Sequence, residues 1–185
     1  MAVTEWWPGA KPPPPVYIDA SILAASFVAK DKRYKQATQL FADLMVDAAE
    51  IVISPLTLSE STWALAKMSY HELLNQPFTN TFHPGIFEKH AASIFAKYRG
   101  RMNSVYEWLR DWRAAGVDVT LFPSEMDAMQ DISRRMPIYM EKFTMASSDA
   151  MHLAAAEMGA KSFVTGDSGF QGAGASSVEI YYIPK

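Results

Sequence analysis

The sequence predicts an α/β protein, a three-layer α/β/α sandwich with a central parallel sheet of five strands. Two observations support this prediction: short apolar or β-branched runs recur along the chain, and longer segments of helical periodicity lie between them. Because parallel strands need crossover connections, this alternation places helices on both faces of the sheet through right-handed crossovers. A length of 185 residues suits one well-buried domain.

The first part of the chain, residues 1–15, is a Pro-rich N-terminal tail that leads into the first strand. A later helix carries Glu60 and opens at Pro55, because proline is accommodated in the first turn of a helix. In chain order the predicted segments are strand 16–18, helices 21–30 and 32–49, strand 51–53 and the helix that starts at 55.

The rest of the chain continues the same pattern, so residues 16–185 are predicted to form a single domain with a helical insertion around 72–100. Pro137 makes the stretch 133–145 ambiguous, and residues 171–177 form a Gly/Ala/Ser-rich loop. The other predicted segments are an irregular stretch 72–85, a helix 86–115, strand 117–122, a helix from 124, helix 147–158 and strands 162–165 and 178–183.

Composition excludes several classes of function. Apolar residues make up 49% of the chain and charged residues 20%, as in ordinary soluble domains. A net charge of −3 provides no global basic field for nucleic acid, so any phosphate-binding surface must be local. No membrane span of about 18 apolar residues and no signal peptide is expected. The absence of cysteine excludes disulfides and thiolate metal sites and fits a cytoplasmic location.

Four carboxylates stand where a strand is predicted to end or a helix to begin: Asp19, Glu60, Asp149 and Asp167. Because the carboxyl ends of parallel strands face one crevice, these side chains are expected to converge at one edge of the sheet. Neighbouring carboxylates repel one another, and a divalent cation is the simplest means of holding them together. Oxygen ligands favour Mg²⁺ or Mn²⁺ over zinc.

Each acid also has an interpretation without function. Aspartate is a favoured helix N-cap, and Asp167 stands in a Gly-Asp-Ser-Gly sequence that is typical of a turn. Glu60 is the hardest to explain in this way. It stands among Leu58, Trp63 and Leu65 on a helix expected to pack on the sheet, where a lone charge needs a partner.

The acids lie within four sequence blocks that resemble a known family. The blocks are Tyr17-Ile18-Asp19-Ala20-Ser21, Leu58-Ser59-Glu60, Ser148-Asp149-Ala150-Met151-His152-Leu153-Ala154-Ala155-Ala156 and Val164-Thr165-Gly166-Asp167-Ser168-Gly169-Phe170. In order and spacing they resemble the PIN-domain ribonucleases, which include the toxin subunits of many toxin–antitoxin pairs. The third and fourth blocks are the most specific, and the resemblance spans about residues 16–183.

The resemblance implies a sheet of order 3-2-1-4-5 and metal-dependent RNA cleavage that leaves 5′-phosphate and 3′-hydroxyl ends. It implies that the four acids are the catalytic residues and the ligands of Mg²⁺ or Mn²⁺. Ser21 falls where the family often has a hydroxyl near the first acid, and Thr165 falls where a small polar residue can orient the fourth. A homodimer and an antitoxin partner are implied in the same way. The interval from Glu60 to Asp149 is longer than in compact toxin members.

The function predicted on these grounds is a metal-dependent endoribonuclease, a hydrolase of RNA phosphodiester bonds and a toxin subunit. One alternative is a PIN nuclease in RNA processing or quality control that has no antitoxin. Another is a non-catalytic PIN-fold module that binds RNA or protein, which the presence of all four acids disfavours. A haloacid-dehalogenase-type phosphotransferase needs a second aspartate two residues after the first, where this chain has Ser21.

Several further residues are compatible with a site but have simpler explanations. His152 follows Asp149 by one helical turn and could touch phosphate, although a packed or capping histidine is the favoured interpretation. Lys97, Arg99 and Arg101 precede a run of aromatic residues, a combination that suits single-stranded RNA. The favoured interpretation is an exposed helix face beside a buried tryptophan stripe.

Overall fold

The computed structural model describes residues 3–77 and 84–184, so the part of the predicted insertion at 78–83 lies outside the described residues. The fold is α/β, with a parallel sheet of six strands flanked by helices. The strands are β1 (Val3–Glu5), β2 (Val16–Ile18), β3 (Ile51–Ile53), β4 (Val119–Leu121), β5 (Ser162–Thr165) and β6 (Glu179–Tyr182).

All five predicted strands form, and β2 lies at the centre of their sheet. The order across the sheet is β1-β6-β5-β2-β3-β4, and every neighbouring pair is parallel. Counted among the five predicted strands alone, this is the order 3-2-1-4-5, so the fold class and the strand order are confirmed. Strands β2, β3 and β5 are buried at every position, as expected of short apolar strands covered on both faces.

The prediction of five strands was one too few, because the N-terminal segment adds β1 beside β6. Thr4 aligns with Tyr181, and the backbone N–H of Trp6 donates to the carbonyl of Tyr182 at 2.9 Å. The Trp6 side chain is buried, whereas Trp7 is exposed. The strand that pairs with β1 lies at the other end of the chain, so local sequence patterns could not predict this pairing.

The helices are α1 (Ala20–Ala25), α2 (Tyr34–Val46), α3 (Pro55–Leu73), α4 (Pro84–Ala114), α5 (Met126–Phe143) and α6 (Ser147–Gly159), with a short 3₁₀ helix at Ser168–Ala173. They form two layers, because alternate strand residues point to opposite faces of the sheet. Val16 and Ile18 face a core shared with helices α1 to α4, whereas Tyr17 faces a core shared with α5 and α6. None of the described helices is long and apolar enough to cross a membrane.

The stretch around Pro137, ambiguous from its sequence, is helical, because α5 continues through the proline to Phe143. Ile132 and Tyr139 of α5 are buried in the core that α6 shares. Tertiary packing of this face therefore stabilises the helix although proline lacks the N–H that would bond within it.

The long helix α4 packs its aromatic side chains inward. The rings of Trp108 and Trp112 each lie edge-on to Phe41 of α2, with ring centroids 5.4 Å apart. Lys97 and Arg99, on the preceding turns, are exposed. The tryptophans thus belong to the core, in agreement with the favoured interpretation of this segment.

Candidate active site

The four carboxylates lie where the parallel strands end. Asp19 directly follows β2, and Asp167 follows Gly166 at the end of β5. Asp149 lies in the first turn of α6, and Glu60 lies in the second turn of α3. The negative charges of the other three all act on Asp149. The structure therefore brings the four predicted residues to one edge of the sheet.

Asp19 is the buried member of this cluster, and its orientation is set by two hydroxyl groups. The Ser21 hydroxyl donates to Asp19 Oδ2 at 2.6 Å, and the Thr165 hydroxyl donates to the same oxygen at 2.8 Å. Oδ1 lies 3.6 Å from Nε2 of His152. Ser21 and Thr165, predicted as supporting residues, therefore contact the first acid and hold one carboxylate oxygen in place.

The same two hydroxyl groups also hold the turn that presents Asp167. The backbone N–H of Asp167 donates to Thr165 Oγ1 at 3.0 Å, and the N–H of Gly166 donates to Ser21 Oγ at 2.9 Å. Asp167 Oδ1 in turn accepts a bond of 2.8 Å from the N–H of Gly169 and caps the 3₁₀ helix. Asp19 and Asp167 are thus linked through one shared hydroxyl group.

Arg33 braces this turn, in the sense that its guanidinium group holds the backbone of the turn by a hydrogen bond. Its Nη1 donates to the carbonyl oxygen of Gly166 at 3.0 Å, and its Nε and Nη2 each donate to an oxygen of Asp31 at 3.3 Å. Arg33 is buried, and a Cβ atom on Gly166 would lie only 2.2 Å from its Nη1. A side chain at position 166 would therefore have to displace the guanidinium group that bonds to the backbone beside Asp167.

Gly166→Ala is expected to displace Arg33 and to lower the free energy of unfolding by about 1.5–3 kcal/mol, the range for a lost hydrogen bond to a charged group. Urea denaturation measures this change. Gly172→Ala is the matched control, because a Cβ atom there would meet nothing within 4 Å. Equal unfolding midpoints for the two variants would contradict the bracing role of Arg33.

Asp149 faces Asp167 across Gly169. A Cβ atom on Gly169 would lie 3.3 Å from Oδ1 of Asp167 and 3.5 Å from Oδ2 of Asp149. Burial raises the pKa of Asp149, and the negative charges of Asp167 and Asp19 raise it further. The ionised cluster is therefore electrostatically unfavourable without a counter-charge.

Glu60 has a direct partner in His152. Nε2 of His152 lies 2.9 Å from Glu60 Oε2, and Nδ1 lies 2.8 Å from the hydroxyl oxygen of Tyr17. The Tyr17 hydroxyl donates to Ser54 Oγ at 2.8 Å, and the side chain of Ser54 also caps α3 by accepting from the N–H of Thr57. This chain of bonds connects the acidic edge to the core and fixes the helix that carries Glu60.

His152 also lies at this edge, although the sequence favoured a packed or capping histidine. It is almost fully buried, but between Glu60 and Asp19 rather than in an apolar environment. Burial alone lowers the pKa of His152, but the hydrogen bond to Glu60 and the charges of Asp19, Glu60 and Asp149 outweigh it and raise this pKa. Its position one helical turn after Asp149 was the available signal, because residues three apart share a helix face.

The residues of this edge fit a divalent cation. Asp19, Glu60 and His152 each offer one ligand atom, and these atoms all lie within 4.8 Å of one another. Asp149 and Asp167 lie outside this group of three. The charges of Asp167, Asp19 and Glu60 all raise the pKa of Asp149, so two further carboxylates lie near the group. A set dominated by carboxylate oxygens, in which one acid already has a raised pKa, is suited to a hard cation.

The basic residues singled out on α4 lie elsewhere. Arg101 donates to Glu72 Oε2 at 2.9 Å and to Ser69 Oγ at 3.3 Å, both on α3. Its guanidinium carbon and Nζ of Lys97 lie 4.9 and 5.0 Å from the ring centroid of Tyr98. These cations are thus associated with the α3–α4 pair rather than with the four acids.

The fold and the site thus define an α/β protein with an acidic cluster, contributed by four chain segments, at the carboxyl edge of its parallel sheet. The PIN domain family model matches residues 16–175, and the chain belongs to this family. PIN domains are generally nucleases that act on RNA, so the family assignment carries nuclease activity with it. No curated protein matches the chain significantly.

Proposed function

We propose that the protein is a metal-dependent endoribonuclease that hydrolyses RNA phosphodiester bonds. The catalytic residues are Asp19, Glu60, Asp149 and Asp167, and together they hold Mg²⁺ or Mn²⁺. The observation that carries this proposal is the meeting of acids from four distant chain segments, one of them with a pKa raised by burial and by its acidic neighbours. Such a cluster lowers stability unless a cation neutralises it.

In this proposal, each side chain has a distinct task. When bound, the cation supplies Lewis-acid assistance to the in-line attack of water on phosphorus. Asp19 is kept in a fixed orientation by Ser21 and Thr165. Asp149 accepts the proton of the attacking water, because burial raises its pKa and so makes its carboxylate a better base.

His152 serves as a positioning residue in the same proposal. Its ring is held by the hydroxyl of Tyr17 and orients Glu60 through a contact of 2.9 Å. In the metal-free protein, its raised pKa favours the imidazolium form, which offsets part of the negative charge of Glu60 and Asp19. Only the neutral ring offers a ligand atom to a cation.

We further propose that this nuclease is a cytoplasmic toxin subunit that forms a homodimer and is inhibited by an antitoxin. The proposal rests on the family assignment together with a complete acidic site, which a non-catalytic module would not need. A neighbouring gene for a small DNA-binding protein would support it. A processing nuclease without an antitoxin is the alternative, and the absence of such a gene would favour it.

Calorimetric titration with Mn²⁺ tests the metal site. We expect the wild-type protein to bind Mn²⁺ and Asp19→Asn to bind it at least tenfold more weakly, the scale of a perturbed metal site. Asp118→Asn is the control, since Asp118 is exposed and lies outside the site. Cleavage of a labelled single-stranded RNA should depend on Mn²⁺ and stop with EDTA. Equal Mn²⁺ affinity in all three proteins would refute the metal assignment.

A further inference from the structure

We propose that a groove running from Asp167 to Arg101 holds the single-stranded RNA next to the scissile bond, and that Lys30 and Lys97 bind its phosphates. We refer to it as the α3 groove, because it follows α3 from the acidic edge towards α4. The inference rests on the proposed ribonuclease function and names the path of the substrate.

The α3 groove consists of two adjoining cavities. One, of about 490 Å³, opens at the acidic edge and is lined there by Ser21, Gly166 and Asp167. The other, of about 520 Å³, extends to Lys30 and Arg101. Both cavities are lined by the same three residues, Asp31, Arg33 and Met68, so they meet at Arg33. A polymer bound at the acids can therefore continue along α3 without leaving the protein surface.

The far end of the α3 groove carries excess positive charge. Lys30 and Arg101 line this end, and Lys97 lies on the preceding turn of α4, next to the lining. The hydrogen bond from Arg101 lowers the pKa of Glu72, and the charges of Lys30 and Lys97 lower it further. Lys30 and Lys97 are exposed and form no ion pair among residues 3–77 and 84–184. They are therefore available to bind phosphate. Because the net charge of the chain is −3, a surface that binds nucleic acid has to be a local cluster of this kind.

RNA fits the α3 groove better than an acidic peptide. The groove begins at Asp167, a member of the acidic cluster. The cluster repels an acidic peptide but takes part in the proposed binding of a phosphodiester through a cation. A nucleic-acid strand also carries phosphate charges at regular intervals, so the phosphates beyond the scissile bond can reach the cations at the far end.

The helical position of the cations supplies a matched control. Lys97 and Arg101 are four residues apart and share one face of α4, whereas Arg99 lies on another face. The double variant Lys30→Ala/Lys97→Ala is compared with Arg99→Ala/Lys142→Ala, which removes the same charge from exposed positions outside the α3 groove. The conservative double variant Lys30→Arg/Lys97→Arg retains both charges.

Fluorescence anisotropy with a labelled 12-nucleotide oligouridylate in EDTA measures binding without cleavage. Lys30→Ala/Lys97→Ala should bind about tenfold more weakly, and its slope of log affinity against log salt should fall by about 1.4, or about 0.7 for each lost phosphate contact. The control and the arginine variant should bind like the wild type. Thermal melting of all variants verifies that they are folded.

Cleavage kinetics separate this inference from the proposed function. With the 12-mer, the lysine variant should show a raised KM and an unchanged kcat, because the lysines lie away from the acids. If the wild type cleaves no RNA, the proposed function fails, while the EDTA binding result still decides the inference. Equal RNA binding by Lys30→Ala/Lys97→Ala and its control overturns the inference. The inference is also overturned if Lys30→Ala/Lys97→Ala binds polyglutamate more weakly than the wild type does but binds RNA equally well. That result would assign the α3 groove to an acidic peptide.

Discussion

Asp149→Asn is expected to lower the kcat of RNA cleavage strongly and to stabilise the metal-free protein. Loss of one group that acts on charge at the reacting centre lowers kcat by about 10²–10³-fold. The folded protein raises the pKa of Asp149, so the ionised form destabilises the fold, and a neutral amide of the same shape removes this cost. We expect a melting temperature a few degrees above that of the wild type, because 1 kcal/mol corresponds to about 2–4 °C for a domain of this size.

Cleavage assays and thermal melting in EDTA measure these two effects. Asp118→Asn again serves as the control, since it removes the same charge from an exposed position and should change neither. Full activity of purified, contamination-controlled Asp149→Asn protein would refute the catalytic assignment. A lower melting temperature would show that Asp149 stabilises the fold as an ion.

The raised pKa of Asp149 also predicts how the stability of the fold and the affinity for Mn²⁺ depend on pH. Since the folded pKa lies above the unfolded value, the protonated form stabilises the fold below the unfolded pKa, and this contribution is lost as pH rises through the folded pKa. Metal binding depends on pH in the opposite direction, because the cation binds the ionised carboxylate. Mn²⁺ affinity should therefore fall as pH drops, beginning above the ordinary aspartate range, and this onset should move to lower pH in Asp149→Asn.

Trp6→Ala is expected to produce the largest loss of stability, about 3–5 kcal/mol in the free energy of unfolding. The Trp6 side chain is 1% exposed, and its indole N–H donates to the carbonyl of Ala10 at 3.3 Å. Truncation leaves a cavity under β1 and loosens the strand that covers the edge of β6. Urea denaturation followed by circular dichroism measures the change.

Trp7→Ala is the matched control for Trp6→Ala. Its side chain is 57% exposed, so truncation should change the unfolding free energy by no more than about 0.5 kcal/mol. If both variants unfolded at the same urea concentration as the wild type, β1 would be an accessory element rather than part of the cooperative fold.

Much of the candidate site could be predicted because its signals are local. Each acid stands beside a strand end or a helix start, and the connection rules of parallel sheets bring such positions to one edge. Thr165 and Ser21 were predicted as supporting residues from their place in the family pattern, and they contact Asp19 in the structure. The catalytic roles themselves remain a proposal.

Other parts of the site depend on contacts that no local pattern encodes. Arg33 braces the turn before Asp167 from 133 positions away, and His152 meets Glu60 across 92 positions. In the sequence, Arg33 is one cation among several, and the favoured interpretation of His152 is a packed or capping residue. The partners of His152 depend on the tertiary structure, which brings α3 and α6 to the same edge of the sheet.

By itself, the sequence determined the alternation of strands and helices, the order of the five predicted strands and the identity of the acids. Period, turn chemistry and family pattern act over short stretches, and they carry this information. The tertiary structure alone decided the sixth strand, the pairing of Glu60 with His152 and the α3 groove. These features arise from segments far apart in the chain, which become neighbours only because burying apolar surface on both faces of the sheet draws them together.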